Sequence, residues 1–191
     1  MEQALQHHRR LQVGPYRFAA RVQRMALSSQ AGPCCQSRSQ SGPLIAWQQL
    51  LEVAAGSGAW MDFWNTQGVT DYLGIDLSER AIDGLKRRFP QYRFLQRDLN
   101  DPGLANAVGV AYDCVSAIDV LYHVIDDERF RAVVADLASV LKPDGLLIIH
   151  EQFLHGPARD HGYIRWRSLR HYEEVLNTAG FEILAGPPSS S

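Results

Sequence analysis

Residues 51–58, Leu-Glu-Val-Ala-Ala-Gly-Ser-Gly, constrain this chain more than any other stretch. An apolar run carrying one acidic residue, Glu52, breaks into a glycine turn at Gly56 and Gly58, and a helix-like segment follows over 59–67. Strand, glycine turn and helix form the opening unit of a nucleotide-binding α/β sheet. Glycine lets the backbone turn tightly and, without a Cβ, lets a ligand approach the main chain. The following helix points its unpaired N–H groups at the same place. Counted from Gly56, the third glycine of a G-x-G-x-x-G dinucleotide fingerprint is missing, because Met61 stands in its place. That speaks against a nicotinamide-dependent oxidoreductase.

From residue 44 the pattern is regular. Strands are expected over 49–54, 72–76, 92–96, 112–118, 146–150 and 181–184. Ser78 is placed to cap a helix running to Phe89, with Ile82 and Leu85 on its apolar face. Asp126 or Asp127 heads a helix in which Phe130, Val133, Val134, Leu137, Val140 and Leu141 recur at helical spacing. Ser168 heads another through Thr178, and 102–109 reads as a short helix. Lys142-Pro143-Asp144-Gly145 reads as a stop and turn. Strands alternating with helices every roughly 20–30 residues imply right-handed βαβ units. The expected fold is α/β, Rossmann-like and doubly wound, with a mostly parallel sheet and helices on both faces.

Glu52-Val53-Ala54-Ala55-Gly56-Ser57-Gly58 resembles the first motif of the class I S-adenosylmethionine-dependent methyltransferases, acidic-x-Gly-x-Gly-x-Gly, with Ala54 at the first glycine position. The resemblance extends over about 44–184, with several motifs in order. It implies S-adenosylmethionine as cofactor and methyl transfer as the activity. A sulfonium-bearing amino acid with a free ammonium suits Glu52, whereas a pyrophosphate would meet a like charge. Alanine at position 54 adds one methyl, which is tolerated where φ is negative. The family's sheet gains a seventh, antiparallel strand after the sixth. Here the sixth strand runs into Gly-Pro-Pro-Ser-Ser-Ser at 186–191, so that final strand is expected to be missing. The sheet edge is then open, covered by another segment, or left by a shortened gene product, and an open edge invites aggregation.

Asp76 ends the second strand, and ligands of open α/β sheets sit at the carboxyl ends of strands. A carboxylate there can accept both ribose hydroxyls of an adenosyl group. The competing reading of Asp76 is a helix-capping aspartate beside Ser78. Glu52 and Asp76 are expected to face one cleft at the tips of the first two strands. The resemblance further implies that Leu77 packs on the adenine, that Asp98 accepts from its amino group, and that Leu99 offers a backbone N–H to the ring. It also implies that Ala117, Ile118 and Asp119 flank the methionine part, with Ile118 in the cofactor site.

His123 is the candidate catalytic residue, because its unperturbed pKa near neutrality suits a base that takes a proton from an acceptor hydroxyl. The alternative is a histidine that only packs or bonds locally. His150, Glu151, His155 and His161 follow the fifth strand, where an acceptor pocket would lie. Arg165-Trp166-Arg167 is either an anion- or aromatic-binding stretch or a solvated edge around a core tryptophan. Trp60, Phe63 and Trp64, at i, i+3 and i+4, read as packing residues.

The acceptor is expected to be a small molecule, methylated on oxygen or nitrogen. A net charge of -2 indicates no nucleic-acid surface, and no apolar run reaches membrane-spanning length. Three cysteines, two of them the neighbours Cys34 and Cys35, make no disulfide framework and no zinc spacing. The cytoplasm is the expected location, and no metal is expected. The domain that binds the cofactor is placed at 44–191. Residues 1–43, with helical spots at Leu11, Val13, Phe18, Val22 and Met25 and a Ser/Gln/Gly/Pro-rich stretch over 28–43, form a poorly defined segment or lid. The rival function is a shortened or inactive relative that binds S-adenosylmethionine without turnover.

Overall fold

The computed structural model describes residues 17–22, 48–154 and 156–185. The elements run β1 (Arg17–Val22), β2 (Gln49–Val53), α1 (Met61–Thr66), β3 (Asp71–Asp76), α2 (Glu79–Arg88), β4 (Arg93–Gln96), α3 (Leu104–Val108) and β5 (Tyr112–Ile118). A 3₁₀ turn (Leu121–His123) leads to α4 (Asp127–Ser139), β6 (Leu141–His150), β7 (Arg159–His161), β8 (Ile164–Trp166), α5 (Leu169–Thr178) and β9 (Phe181–Ala185). The main sheet has seven strands in the order β4-β3-β2-β5-β6-β1-β9, and β7–β8 form a separate antiparallel hairpin.

The helix starts follow the expected capping chemistry. Ser78, Asp126 and Ser168 each accept the N–H three residues on, from Ala81, Arg129 and His171. Alternation along the strands divides the core into two layers. Leu50, Tyr72 and Cys114 face α1 and α2, where they meet Met61, Trp64, Ile82 and Leu85. Leu51, Val53, Val115 and Ala117 face the layer of α3, α4 and α5, with Phe130, Leu137 and Leu176. Helices therefore cover both faces, as the doubly wound pattern requires.

Besides the β7–β8 hairpin, which is not among the expected elements, two features depart from the expected layout. β6 starts at Leu141, five residues before the expected strand. Tyr112 pairs Leu141 and Cys114 pairs Leu146, so the residues between bulge out, with Asp144 at φ 64°. The larger departure lies at the sheet edge. No strand follows β9 among the described residues, yet the antiparallel position is filled. β1 inserts between β6 and β9 and runs antiparallel to both, with Ala20 opposite Leu147 on one side and Ile183 on the other. The segment with helical spots thus contains a strand, and β6 is not an open edge. The rest of the expected N-terminal lid, with Cys34 and Cys35, lies outside the described residues, as does His155.

Candidate active site

A cleft of about 350 Å³ opens at the carboxyl ends of β2, β3, β4 and β5. Ala54 follows β2, Ile75 and Asp76 end β3 with Leu77 next in the chain, and Arg97, Asp98, Leu99 and Asn100 follow β4. Val120, His123 and Val124 come from the turn after β5, and Tyr163 comes from the β7–β8 hairpin. Six of the residues expected from sequence meet here: Ala54, Asp76, Leu77, Asp98, Leu99 and His123.

Asp76 joins two turns. Its Oδ2 accepts the Gly56 N–H at 2.8 Å and its Oδ1 accepts the Ser78 N–H at 2.8 Å. Ser78, not Asp76, caps α2 through its own side chain. Each carboxylate oxygen accepts up to two hydrogen bonds, so among the described residues one position remains on each for a ligand hydroxyl. Leu77 beside it is 64% exposed, an uncovered apolar wall of the cleft. Asp98 Oδ1 accepts from the Asn100 backbone and side-chain nitrogens at 2.7 and 3.0 Å, which fixes the loop after β4. Arg97 closes the other end of that loop by donating to the carbonyls of Asp101 and Pro102.

Four expected cofactor contacts stand elsewhere. Glu52 does not line the cleft. It shares the α1/α2 face with Leu50, two residues away, and is 2% exposed. Its Oε2 accepts from Tyr72 Oη at 2.6 Å and Trp64 Nε1 at 3.0 Å. Burial pushes its pKa up to about 7 against the pull of those two donors. The common cradle of Glu52 and Asp76 is therefore not formed. Ile118 obeys the same alternation and packs toward the α1/α2 layer, leaving Val120 to line the cleft. Gly58 serves packing: a Cβ there would come 2.7 Å from Leu85 Cδ2. Gly56 stands outside the cleft lining and contributes the N–H that holds Asp76.

Ala54 lines the cleft, but at φ 58°, not the negative φ at which alanine is unstrained. A Cβ in the left-handed region costs roughly 1–2 kcal/mol. The turn at this position demands the conformation that the absent glycine would supply freely.

The turn after β5 is held from behind. Asp119 takes φ 51°, and its N–H donates to the His150 carbonyl at 2.8 Å. Its carboxylate pairs with His150 Nδ1 at 3.0 Å. Glu151, 2% exposed, accepts the Val120 and Leu121 N–H groups at 3.0 and 2.6 Å. His123 sits exposed at the cleft rim, its ring stacked on Tyr163 at 5.8 Å and 14°. The hairpin carrying Tyr163 is anchored by Arg165, which bonds Asp160 within it and Asp127 at the start of α4. Arg167 is buried over the Phe130 ring and donates to Asp127 and the Val124 carbonyl. Its neighbour Trp166 is half-buried. Burial works upward on Asp127, but the hydrogen bonds from Arg167 and Arg165 hold its carboxyl below the usual range. Neither arginine lines the cleft.

A profile of the methyltransferase domain matches residues 5–185, nearly the whole chain. The chain belongs to the methyltransferase family. Its class is that of the class I, S-adenosylmethionine-dependent methyltransferases, whose sheet this one shares. The dTDP-3-amino-3,4,6-trideoxy-α-D-glucopyranose N,N-dimethyltransferase of Streptomyces venezuelae is 28% identical over 100 residues, covering 52% of this chain and 40% of that protein. The chain thus matches less than half the length of this curated relative. Among solved structures, DesVI of Streptomyces venezuelae superposes with a TM-score of 0.57 at 20% identity, covering 70% of this chain and 75% of that one. CalS10, an amino pentose methyltransferase from Micromonospora echinaspora solved with S-adenosylmethionine bound, gives 0.58 at 18% identity with the same coverage. These structural likenesses carry the fold alone.

The cleft suits the methyltransferase cofactor on chemical grounds. It offers a carboxylate with free acceptor positions at Asp76, apolar walls at Leu77 and Leu99, and a second carboxylate at Asp98. Ile75, Arg97, Asn100, Val120, Val124 and Tyr163 were not legible as site residues. Tyr163 in particular arrives from a hairpin with no spacing relation to the first strand. Among the described residues no helix is long and apolar enough to cross a membrane.

Proposed function

We propose that this chain transfers the methyl group of S-adenosylmethionine to a small-molecule acceptor, and that the acceptor atom is an amine nitrogen on a sugar-like molecule. The observation that carries the cofactor half is Asp76, placed between the glycine turn and exposed Leu77 in a cleft at the strand ends. Support for an amino-sugar acceptor comes from the relative named as an N,N-dimethyltransferase of such a sugar.

In this reading Asp76 accepts the ribose hydroxyls with the positions its backbone donors leave open. Leu77 and Leu99 pack on the adenine, and Asp98 accepts from its amino group. Ala54 borders the methionine part, and Val120 and Val124 keep water from it. Glu52, Gly56, Gly58 and Ile118 shape the site from behind. S-adenosylmethionine, when bound, supplies a methyl group already activated on a sulfonium. The protein's task is then to hold the acceptor in line and exclude water. His123 at the rim takes the proton that the acceptor must lose, and Tyr163 offers an aromatic face beside it.

Calorimetric titration with S-adenosylmethionine and S-adenosylhomocysteine tests the first half, with micromolar binding expected. Incubation with nucleotide-linked amino sugars and their hydroxyl counterparts, read by mass spectrometry, tests the second. Methylation of the amines alone is expected. Transfer only to hydroxyls overturns the nitrogen assignment, and binding with no transfer to either leaves a cofactor-binding protein.

A further inference from the structure

Glu151 is a buried carboxyl without an obvious place in the reaction. It follows β6, is 2% exposed, and uses Oε1 to accept two consecutive N–H groups, those of Val120 and Leu121. Its Oε2 is equally buried and has no hydrogen-bond partner among the described residues, while the Tyr122 N–H also stabilises the carboxylate. Two residues that line the cleft, Val120 and His123, sit on the turn it grips. That turn begins with Asp119 in the left-handed region, a conformation that persists only where the surroundings enforce it. A glutamine could accept the same two N–H groups without burying an ionisable group, whose desolvation opposes folding.

We propose that Glu151 is a positioning residue for methyl transfer, holding the 119–123 turn so that Val120 walls the methyl-donor cleft and His123 stands at its rim. The proposal rests on the reading of that cleft as the S-adenosylmethionine site. Hydrogen bonds to an ionised acceptor are shorter and stronger than those to a neutral one, so the grip tightens when Glu151 ionises. The groups that face it are Asp119 just after β5, Tyr122 on the 3₁₀ turn and Tyr172 on α5, with Arg167 near Tyr172. His150 adjoins it in sequence. Burial, opposed by the backbone donors and reinforced by Asp119, pushes its pKa up to about 8. The change in grip therefore falls in a range open to measurement.

The experiment is calorimetric titration of wild type, Glu151→Gln and Glu151→Ala with S-adenosylhomocysteine, from about pH 6.5 to about pH 9.5. The amine of the probe titrates equally in every comparison, so the ratio of wild-type to Gln affinity is the readout. That ratio should rise by about 3-fold or more toward high pH, and the Ala variant should bind about 10-fold or more weaker than wild type throughout. A ratio that stays level, or an Ala variant within about 2-fold of wild type, overturns the proposal. If the Ala variant does not fold, the wild-type to Gln ratio decides alone. Failure of wild type to bind the probe is a different result: it removes the cofactor reading itself.

Discussion

The Gly56 N–H donates to Asp76 Oδ2 at 2.8 Å, so the turn after β2 and the carboxylate at the tip of β3 form one unit. The other oxygen accepts the Ser78 N–H that leads into α2. One side chain thereby aligns two loops from adjacent parallel strands, whose pairing runs from Gln49 opposite Asp71 to Val53 opposite Ile75. A ligand that took the remaining acceptor positions would meet a carboxylate already oriented before it arrives.

Replacing Asp76 removes both the ligand acceptors and the tie between the loops. Asp76→Ala should weaken S-adenosylmethionine binding by roughly 1.5–3 kcal/mol, the scale of hydrogen bonds to a charged group. Calorimetry reads this directly, and unchanged affinity would refute the ribose assignment. Asp76→Asn, which keeps one acceptor oxygen, should lose less.

Ala54 is the strained member of the glycine turn, at φ 58°. Ala54→Gly relieves roughly 1–2 kcal/mol of left-handed strain and gives back about 0.4–1 kcal/mol through the freer unfolded chain. The net gain should be up to about 1.5 kcal/mol, seen as a rise in Tm at about 2–4 °C per kcal/mol for a domain of this size. Ala54→Val, β-branched in the same conformation, should lower Tm. A Gly variant that melts below wild type would show that the turn is not strained at this residue.

Glu52 makes stability depend on pH. The free carboxyl ionises near 4.5 and the folded one near 7, chiefly because it is buried. Between those values the folded state holds a proton that the unfolded chain has released. Its stabilising contribution is therefore full below about pH 4.5, falls as pH rises to about 7, and is level above. Glu52→Gln lacks this loss while keeping an acceptor for Tyr72 and Trp64. Its stability relative to wild type should rise by on the order of 3 kcal/mol between the two ends of that range. Urea unfolding at low and neutral pH checks it, and parallel pH dependence in the two proteins would place the titrating group elsewhere.

β1 supplies the antiparallel strand from the N-terminal side of the domain. Ala20 pairs with β6 on one side and β9 on the other. Proline removes a donor and is excluded from strands paired on both sides. Ala20→Pro should therefore cost about 1–3 kcal/mol in chemical denaturation, the penalty of leaving a paired backbone carbonyl without its donor. No loss would mean that this segment does not occupy the position between β6 and β9.

The layout of the domain was legible because its signals are local. Apolar runs, glycine turns and the three caps at Ser78, Asp126 and Ser168 read out period and punctuation within a few residues. The same local order placed Asp76, Leu77, Asp98 and Leu99 at strand ends, where the cleft forms. The burial of Glu52 away from the cleft has a signal in the sequence: it shares the parity of Leu50, and parity decides which face of a strand a side chain takes.

Neighbours from distant parts of the chain were not legible. No spacing announces that Arg17–Val22 enters the sheet beside β6, that the hairpin lays Tyr163 on His123, or that Glu151 reaches back to the Val120 N–H. Sequence order is enough to say which residues share an element and a face, because backbone geometry repeats over a few residues. Which faces and ends then meet depends on how the whole sheet closes its hydrogen bonds and buries its two layers, and that is decided only when every strand is in place.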